Sequence, residues 1–386
     1  MRRIVPAALA GLILALSPGA AMAQDKPSYP WLVALYANYG KFDASGVSSN
    51  GDQALAYLQM IYSRPRWGVG LTTSYGVTSY QPATGPDKFT LNGLTDSALT
   101  GYYRFQLGSV NLRAGVDVGL PTGKAAQDND QLARTITDDV REDLLLLNGF
   151  GAGVNVAPHL ASSFKAGPVT WGLGARYLFA GEYDPSSGIS GDTYNPGDSF
   201  TLVASGLASL SRRDTLLVTL RYTTFGRDAM GGRDVFKNGD LMTVEARAVR
   251  TWSPPVTSSL VALYKRQEKN ERLTARTMAA ETGNSNGNTV EVFTETAWRL
   301  GGRFTLTGVA GYKTVAANAY VSDDPLFDGG RDKLYLEPGA IWRFGPRMYA
   351  TGKLRYSRVS DKRDAYSPAD ATYSVFHLDA GMVYSF

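Results

Sequence analysis

Residues 376–386 alternate. Phe376, Leu378, Ala380, Met382, Tyr384 and Phe386 share one parity, and His377, Asp379, Gly381 and Ser385 fall on the other together with the apolar Val383. A period of two puts successive side chains on opposite faces of an extended chain, so this segment is a strand with one greasy and one polar face. Segments of 10 to 18 residues with comparable alternation recur near 30–42, 53–63, 66–80, 95–107, 110–120, 148–165, 169–181, 198–211, 214–226, 240–252, 256–267, 289–300, 303–316, 332–344, 347–360 and 372–386. They predict an antiparallel, all-β chain of about sixteen strands, within a range of 12 to 18.

The breaks between segments are alternately short and long. The short ones carry turn chemistry: Arg64-Pro65, Gly108-Ser109, Gly167-Pro168, Arg212-Arg213, Ser253-Pro254-Pro255, Gly301-Gly302 and Gly345-Pro346. The long ones, 43–52, 81–94, 121–147, 182–197, 227–239, 268–288, 317–331 and 361–371, are rich in Gly, Asp, Asn, Ser and Thr. Tight turns at one rim and long loops at the other predict an up-and-down barrel with an even number of strands.

Composition says what the greasy faces meet. The chain is 44% hydrophobic with a mean hydropathy of only -0.18 and contains 22 Tyr, 15 Phe and 42 Gly, so its apolar residues are dispersed rather than massed. After residue 23 no apolar run reaches about 18 residues, the length a transmembrane helix requires. Any membrane span must therefore consist of strands. The six tryptophans support one, because Trp31, Trp67, Trp171, Trp252, Trp298 and Trp342 all fall near short-turn ends, where an interfacial indole keeps its ring buried and its N-H wet. The competing interpretation is six core tryptophans of a soluble β-protein. Residues 1–23 have a signal peptide's charged start (Arg2, Arg3), apolar run (Ile4 to Leu16) and small-residue end (Ala21-Met22-Ala23). The expected organisation is a cleaved signal over 1–23 and one transmembrane barrel domain over 24–386, with periplasmic termini and long loops facing out.

If the apolar parity meets lipid, the other parity faces a lumen. That rule points Arg104, Arg113, Asp117, Arg176, Arg221, Glu245, Arg247, Glu291, Glu295, Arg299, Glu337, Arg343, Lys353, Arg355, His377 and Asp379 inward. A charge on the lipid face near the bilayer midplane would cost about 2–4 kcal/mol. These charges either pair across strands and hold the wall in shape or set the field along a solute path. Basic residues slightly outnumber acidic ones, a weak bias toward anions. The longest loop, 121–147, has a helix-like stretch with Leu132, Ile136, Val140 and Leu144 at spacings of four, and carries Asp128, Asp130, Asp138, Asp139, Glu142 and Asp143. It is either an exposed acidic loop or one that narrows the pore.

Other chemistry is thin. The chain has no Cys and two His, His159 and His377, which excludes thiolate sites and a disulfide framework and leaves little for a metal or a catalytic base. No cofactor is expected. The formal charge of +4, two units of which belong to the signal segment, does not point to nucleic acid. GLPTGK at 119–124 lacks the glycine spacing of a phosphate loop.

Residues 93–124 resemble a hairpin of the outer-membrane barrel family named for meta-pathway phenol degradation. The likeness rests on Gly93, Leu94 and Asp96, then Tyr103-Arg104-Phe105, then Pro121-Thr122-Gly123. It implies a barrel that moves aromatic or other hydrophobic small molecules, and it brings no binding residues. The C-terminal strand, with Tyr384 and Phe386, resembles the assembly signal of bacterial outer-membrane barrels. That resemblance implies the bacterial outer membrane, its lipid and the barrel-assembly machinery as partners. By position and charge, loop 121–147 resembles the third loop of sixteen-stranded porins, which folds inward and sets acid against arginine. The expected function is a passive channel or facilitator for small solutes, aromatic or hydrophobic ones among them. The alternatives are a structural or adhesive barrel and, more remotely, an outer-membrane enzyme. A homo-oligomer is compatible with either.

Overall fold

The computed structural model describes residues 29–45, 49–81, 89–126, 141–146, 150–185, 193–363 and 369–386. The predicted signal segment and Asp128, Asp130, Asp138 and Asp139 lie outside them. Sixteen antiparallel staves close on themselves. They are β1 (Trp31–Ser45), β2 (Asn50–Ser63), β3 (Trp67–Gln81), β4 (Phe89–Leu94 continued by Ser97–Leu107), β5 (Val110–Leu120), β6 (Asn155–Ala166), β7 (Val169–Ala180) and β8 (Ser199–Ser209). The circuit continues through β9 (Asp214–Phe225), β10 (Leu241–Ser253), β11 (Val256–Gln267), β12 (Thr289–Leu300), β13 (Phe304–Val315), β14 (Arg331–Arg343), β15 (Met348–Asp361) and β16 (Ala371–Ser385). Each stave pairs with its sequence neighbour. β1 then meets β16 in one continuous register from Leu32↔Ser385 to Ser45↔Thr372. Trp31 and Phe386 exchange backbone hydrogen bonds of 2.9 and 3.0 Å at the seam. Closure leaves no unpaired barrel edge, the condition for β-structure in hydrocarbon.

Parity divides the wall as the alternation predicts. Along β16, Phe376, Leu378, Ala380, Met382 and Tyr384 are exposed on the outer surface, while Tyr373, Val375, His377 and Val383 are buried within. The six tryptophans are all exposed, by 36 to 56%, and ring the short-turn end. A second belt, not singled out from sequence, lies toward the long-loop end. There Tyr177, Tyr222 and Tyr312 point outward and donate to Asp198, Asp240 and Asp332 at 2.9, 2.6 and 2.6 Å. Two aromatic belts flanking an apolar band are what a barrel needs to sit across a bilayer.

Two strand expectations require correction. β4 begins at Phe89 rather than 95, because its first six residues extend past an irregularity at Thr95-Asp96. β3 pairs Thr72 with Ala98 and Tyr75 with Leu94, so three residues of β4 oppose two of β3. This one-residue bulge flips the parity of everything before it. β6 begins at Asn155 rather than 148, since residues 150–154 are irregular. In addition, the long breaks after β7, β9 and β11 carry short strands of their own. Tyr194–Asn195, Arg227–Met230, Arg233–Lys237, Glu271–Thr274 and Thr277–Ala280 pair into a five-stranded ribbon at the long-loop end.

Candidate functional site: the barrel interior

Strand parity puts all sixteen sequence-selected charged or titratable wall residues on the inward side, and many of them meet one another. Arg247 on β10 reaches Glu295 on β12 at 2.6 Å and Glu245 at 3.7 Å, and Ser259 between them donates to Glu295 at 2.9 Å. Glu337 on β14 takes both Arg355 at 2.6 Å and Lys353 at 3.1 Å from β15. Glu291 accepts from the Tyr335 hydroxyl at 2.8 Å, and Asp379 accepts from Asn38. Arg221, Arg299 and Arg343 have no ion-pair partner among the described residues. The wall is thus partly neutralised, with bases left over.

A second group lies on β4 to β7. Arg113 sits over the Tyr102 ring at 4.0 Å and Arg104 over the same ring at 4.8 Å, although Arg104 and Arg113 are directly opposed in register. Like charges opposite one another are unfavourable, and the shared aromatic face offsets part of that cost. Asp117 accepts from the Thr100 hydroxyl at 2.9 Å and faces His159 at 3.5 Å and Arg176 at 3.6 Å. The carboxylate stands between hydroxyl and imidazole, whereas a nucleophilic triad places the imidazole between the other two. Among the described residues no group of three His, Asp or Glu has metal-binding geometry.

The described parts of the long loop after β5 enter the barrel. A short helix α1, Arg141–Leu144, carries Asp143 onto three cations of the inner wall. Lys313 Nζ lies 2.9 Å from Oδ1, Arg331 Nε 2.7 Å from Oδ2, and Lys333 Nζ 3.3 Å from Oδ1. Burial by itself opposes ionisation of this carboxyl, but Lys313, Lys333 and Arg331 outweigh it and hold Asp143 well below the ordinary carboxylate range. Leu144 and Leu145 pack with Phe42, Val359, Ala371, Tyr373 and Val375 on the inner faces of β1, β15 and β16. The Leu144 carbonyl meets His377 Nε2 at 3.3 Å, and the Leu146 N-H donates to Gln53 Oε1 at 3.0 Å. The imidazole has room to lie there because β1 presents Gly40 beneath it, where a Cβ would fall 2.5 Å from His377 Cδ2. Past the next stretch of loop, Phe150 packs against Leu55 and Leu91 on β2 and β4.

The loop is anchored where it leaves the wall. Asp96, in the β4 bulge, accepts from Gly123 N at 3.0 Å and from Ala152 N at 2.6 Å, so one carboxylate holds both ends of the loop. Thr122 Oγ1 accepts from Ser97 N at 2.8 Å and donates to the Thr95 carbonyl at 3.0 Å. Gly123 passes so close to the Phe150 carbonyl oxygen that a Cβ would collide with it. The motif residues Gly93, Asp96, Thr122 and Gly123 are therefore a bulge and its clasp.

Glu142 and Asp143 are the loop acids within the described residues; Glu142 is exposed and Asp143 is buried. Lys313, Arg331 and Lys333 are the functional side chains that sequence reading passes over. Lys313 and Lys333 obey the inward-parity rule, yet the acid they meet is remote in sequence. Their partner lies 170 and 190 residues away.

No family model and no curated protein matches the chain in sequence. Over nearly its whole length the chain is similar to solved outer-membrane channels. The CymD monoaromatic hydrocarbon channel has 11% identity and a TM-score of 0.46 over 97% of this chain and 92% of that one. The toluene transporter TodX of Pseudomonas putida has 10% identity and a TM-score of 0.46 over 93% and 91%. An outer-membrane channel from Pseudomonas putida F1 has 13% identity and a TM-score of 0.40 over 96% and 100%.

Proposed function

We propose that this chain is an outer-membrane channel for small solutes, with its short-turn rim toward the periplasm and its long loops outside. The observation that carries the proposal is the inner wall. A closed sixteen-stranded barrel encloses more volume than its own side chains fill, and charged residues line that interior from Arg104 to Asp379 while the exterior is apolar. A barrel serving only as an anchor has no need of so many ionised groups in its centre. Bases left without acid partners among the described residues, Arg299 and Arg343 at the short-turn end and Arg221 nearer the long-loop end, favour anionic solutes. The likeness of residues 93–124 to the phenol-degradation barrels directs attention to aromatic molecules, so aromatic acids belong beside sugars and inorganic ions among the solutes tested. Catalysis is not part of the proposal, since Thr100, Asp117 and His159 stand in the wrong order for a nucleophile and its base.

Purified full-length protein in planar bilayers tests this directly. Steady unitary openings with measurable ion selectivity are expected; a protein that inserts and folds yet never conducts, with or without loop 128–143, contradicts the channel function.

A further inference from the structure

On the inner wall, β13 and β14 bring Lys313 directly opposite Lys333 in register, with Arg331 one pleat further toward the long-loop rim. Two lysines facing each other across a ladder repel, and the arrangement is stable only with an anion between them. The wall supplies two carboxylates nearby, the buried Asp361 opposite Arg331 on β15 and Glu291 opposite Lys313 on β12, the latter accepting from the Tyr335 hydroxyl. Arg355, the next cation inward, is already taken by Glu337. Three cations against two wall carboxylates leave a positive excess on rigid strands, and what fills it is the carboxylate of Asp143, delivered by a one-turn helix of a loop.

We propose that Lys313, Arg331 and Lys333 form a binding site for a small carboxylate solute, and that Asp143 is a tethered surrogate that occupies this site until the solute displaces it. The site belongs to the wall, so it persists when the surrogate leaves. Its geometry suits a carboxylate: Lys313 and Lys333 converge on Oδ1 while Lys313 and Arg331 converge on Oδ2, so both oxygens of one planar group are held. Tyr335 presents its ring from the same inner face, with Lys333 Nζ 6.0 Å from the centroid, which favours a solute with a flat apolar body attached to the carboxylate. Displacement also undocks Leu144 and Leu145 from the adjoining wall of β15, β16 and β1, so arrival of the solute would clear its own path. This inference names a substrate class for the proposed channel and rests on that function only for its consequence, not for the binding itself.

Equilibrium dialysis of benzoate, with benzyl alcohol as the uncharged control, is done on the full-length barrel and on Asp143→Ala and Lys313→Met/Lys333→Met variants. A site occupied by a competitor binds weaker in proportion to the fraction of time it is free. Wild-type protein is therefore expected to bind benzoate weakly and saturably, Asp143→Ala about tenfold tighter or more, and the double lysine variant not at all, with benzyl alcohol unaffected by any change. Equal benzoate affinity in wild type and Asp143→Ala, or undiminished benzoate binding in the double lysine variant, overturns the proposal. Should Asp143→Ala fail to fold, the comparison of wild type with Lys333→Met alone decides it, because only the site proposed here requires that lysine for benzoate and not for benzyl alcohol. Unitary conductance measured in parallel separates the two ideas. Tight benzoate binding by a barrel that never conducts removes the channel and keeps the site. Conduction with no Asp143-dependent binding does the reverse.

Discussion

Asp143 carries the inward loop's polar attachment and Leu144 its apolar one. Leu144 is 2% exposed, and truncating a buried leucine typically costs about 2–5 kcal/mol. Leu144→Ala is therefore expected to loosen the loop without touching the barrel: proteolytic cleavage between residues 126 and 150 should accelerate at least about tenfold, while the heat-induced gel shift of the folded barrel stays put. Unchanged cleavage would show that the contact with Phe42 and Val375 does not hold the loop. Asp143 makes a different forecast. Its folded-state pKa is depressed, so its contribution to docking is complete above the unfolded carboxyl value and is lost only as the pH falls through the folded value. Loop-dependent conductance should accordingly be flat between about pH 5 and pH 8, and a midpoint within that range would assign the gate to another group. These side chains were only half legible in sequence. The acids of the loop and the parity of the wall were visible, but the pairing of Asp143 with Lys313 and Lys333 depends on how the loop crosses the lumen, and no local pattern encodes that.

At the scale of the element, β4 departs from the regular alternation, and its irregularity is what ties the loop to the wall. The one-residue excess at Thr95-Asp96 turns the Asp96 carboxylate toward Gly123 and Ala152, which lie at opposite ends of the loop. Removing a part-buried acceptor from two backbone N-H groups costs about 1–3 kcal/mol. Asp96→Ala should thus raise protease cleavage of the loop and broaden the distribution of unitary conductances, and an unaltered distribution would mean that the clasp has no mechanical part. Deleting residues 128–143 removes Asp143 together with most of the loop's length and should raise single-channel conductance; an unchanged value would sink its role as a constriction. Period-two patterning located fourteen of the sixteen staves to within a few residues but missed the start of β4, because a bulge reverses parity midway and the alternation on its two sides cancels. β6 failed differently: Gly151, Ala152 and Gly153 lead into it with small residues that satisfy either face. The short strands of the outer ribbon were invisible for a third reason. They are held by pairing between loops remote in sequence, as Phe236 with Arg272, rather than by a hydrophobic face of their own.

For the whole molecule, everything depends on the assignment of the two faces. The outer surface displays Leu35, Leu99, Leu160, Leu202, Leu260 and Leu354, all exposed in the chain, around the full circuit of staves. In water such a belt would aggregate, whereas in a bilayer it is solvated. The chain contains no cysteine, so single cysteines can be placed at will and read one at a time. The decisive experiment takes four consecutive positions of β9 as Val218→Cys, Thr219→Cys, Leu220→Cys and Arg221→Cys, reconstitutes each in lipid vesicles, and measures reaction with a charged, water-soluble thiol reagent. Labelling at 219 and 221 but not at 218 and 220, the latter two reacting only with a lipid-soluble reagent, is the predicted result. Equal labelling at all four, or labelling of 218 and 220 in preference, would contradict a polar lumen inside an apolar wall.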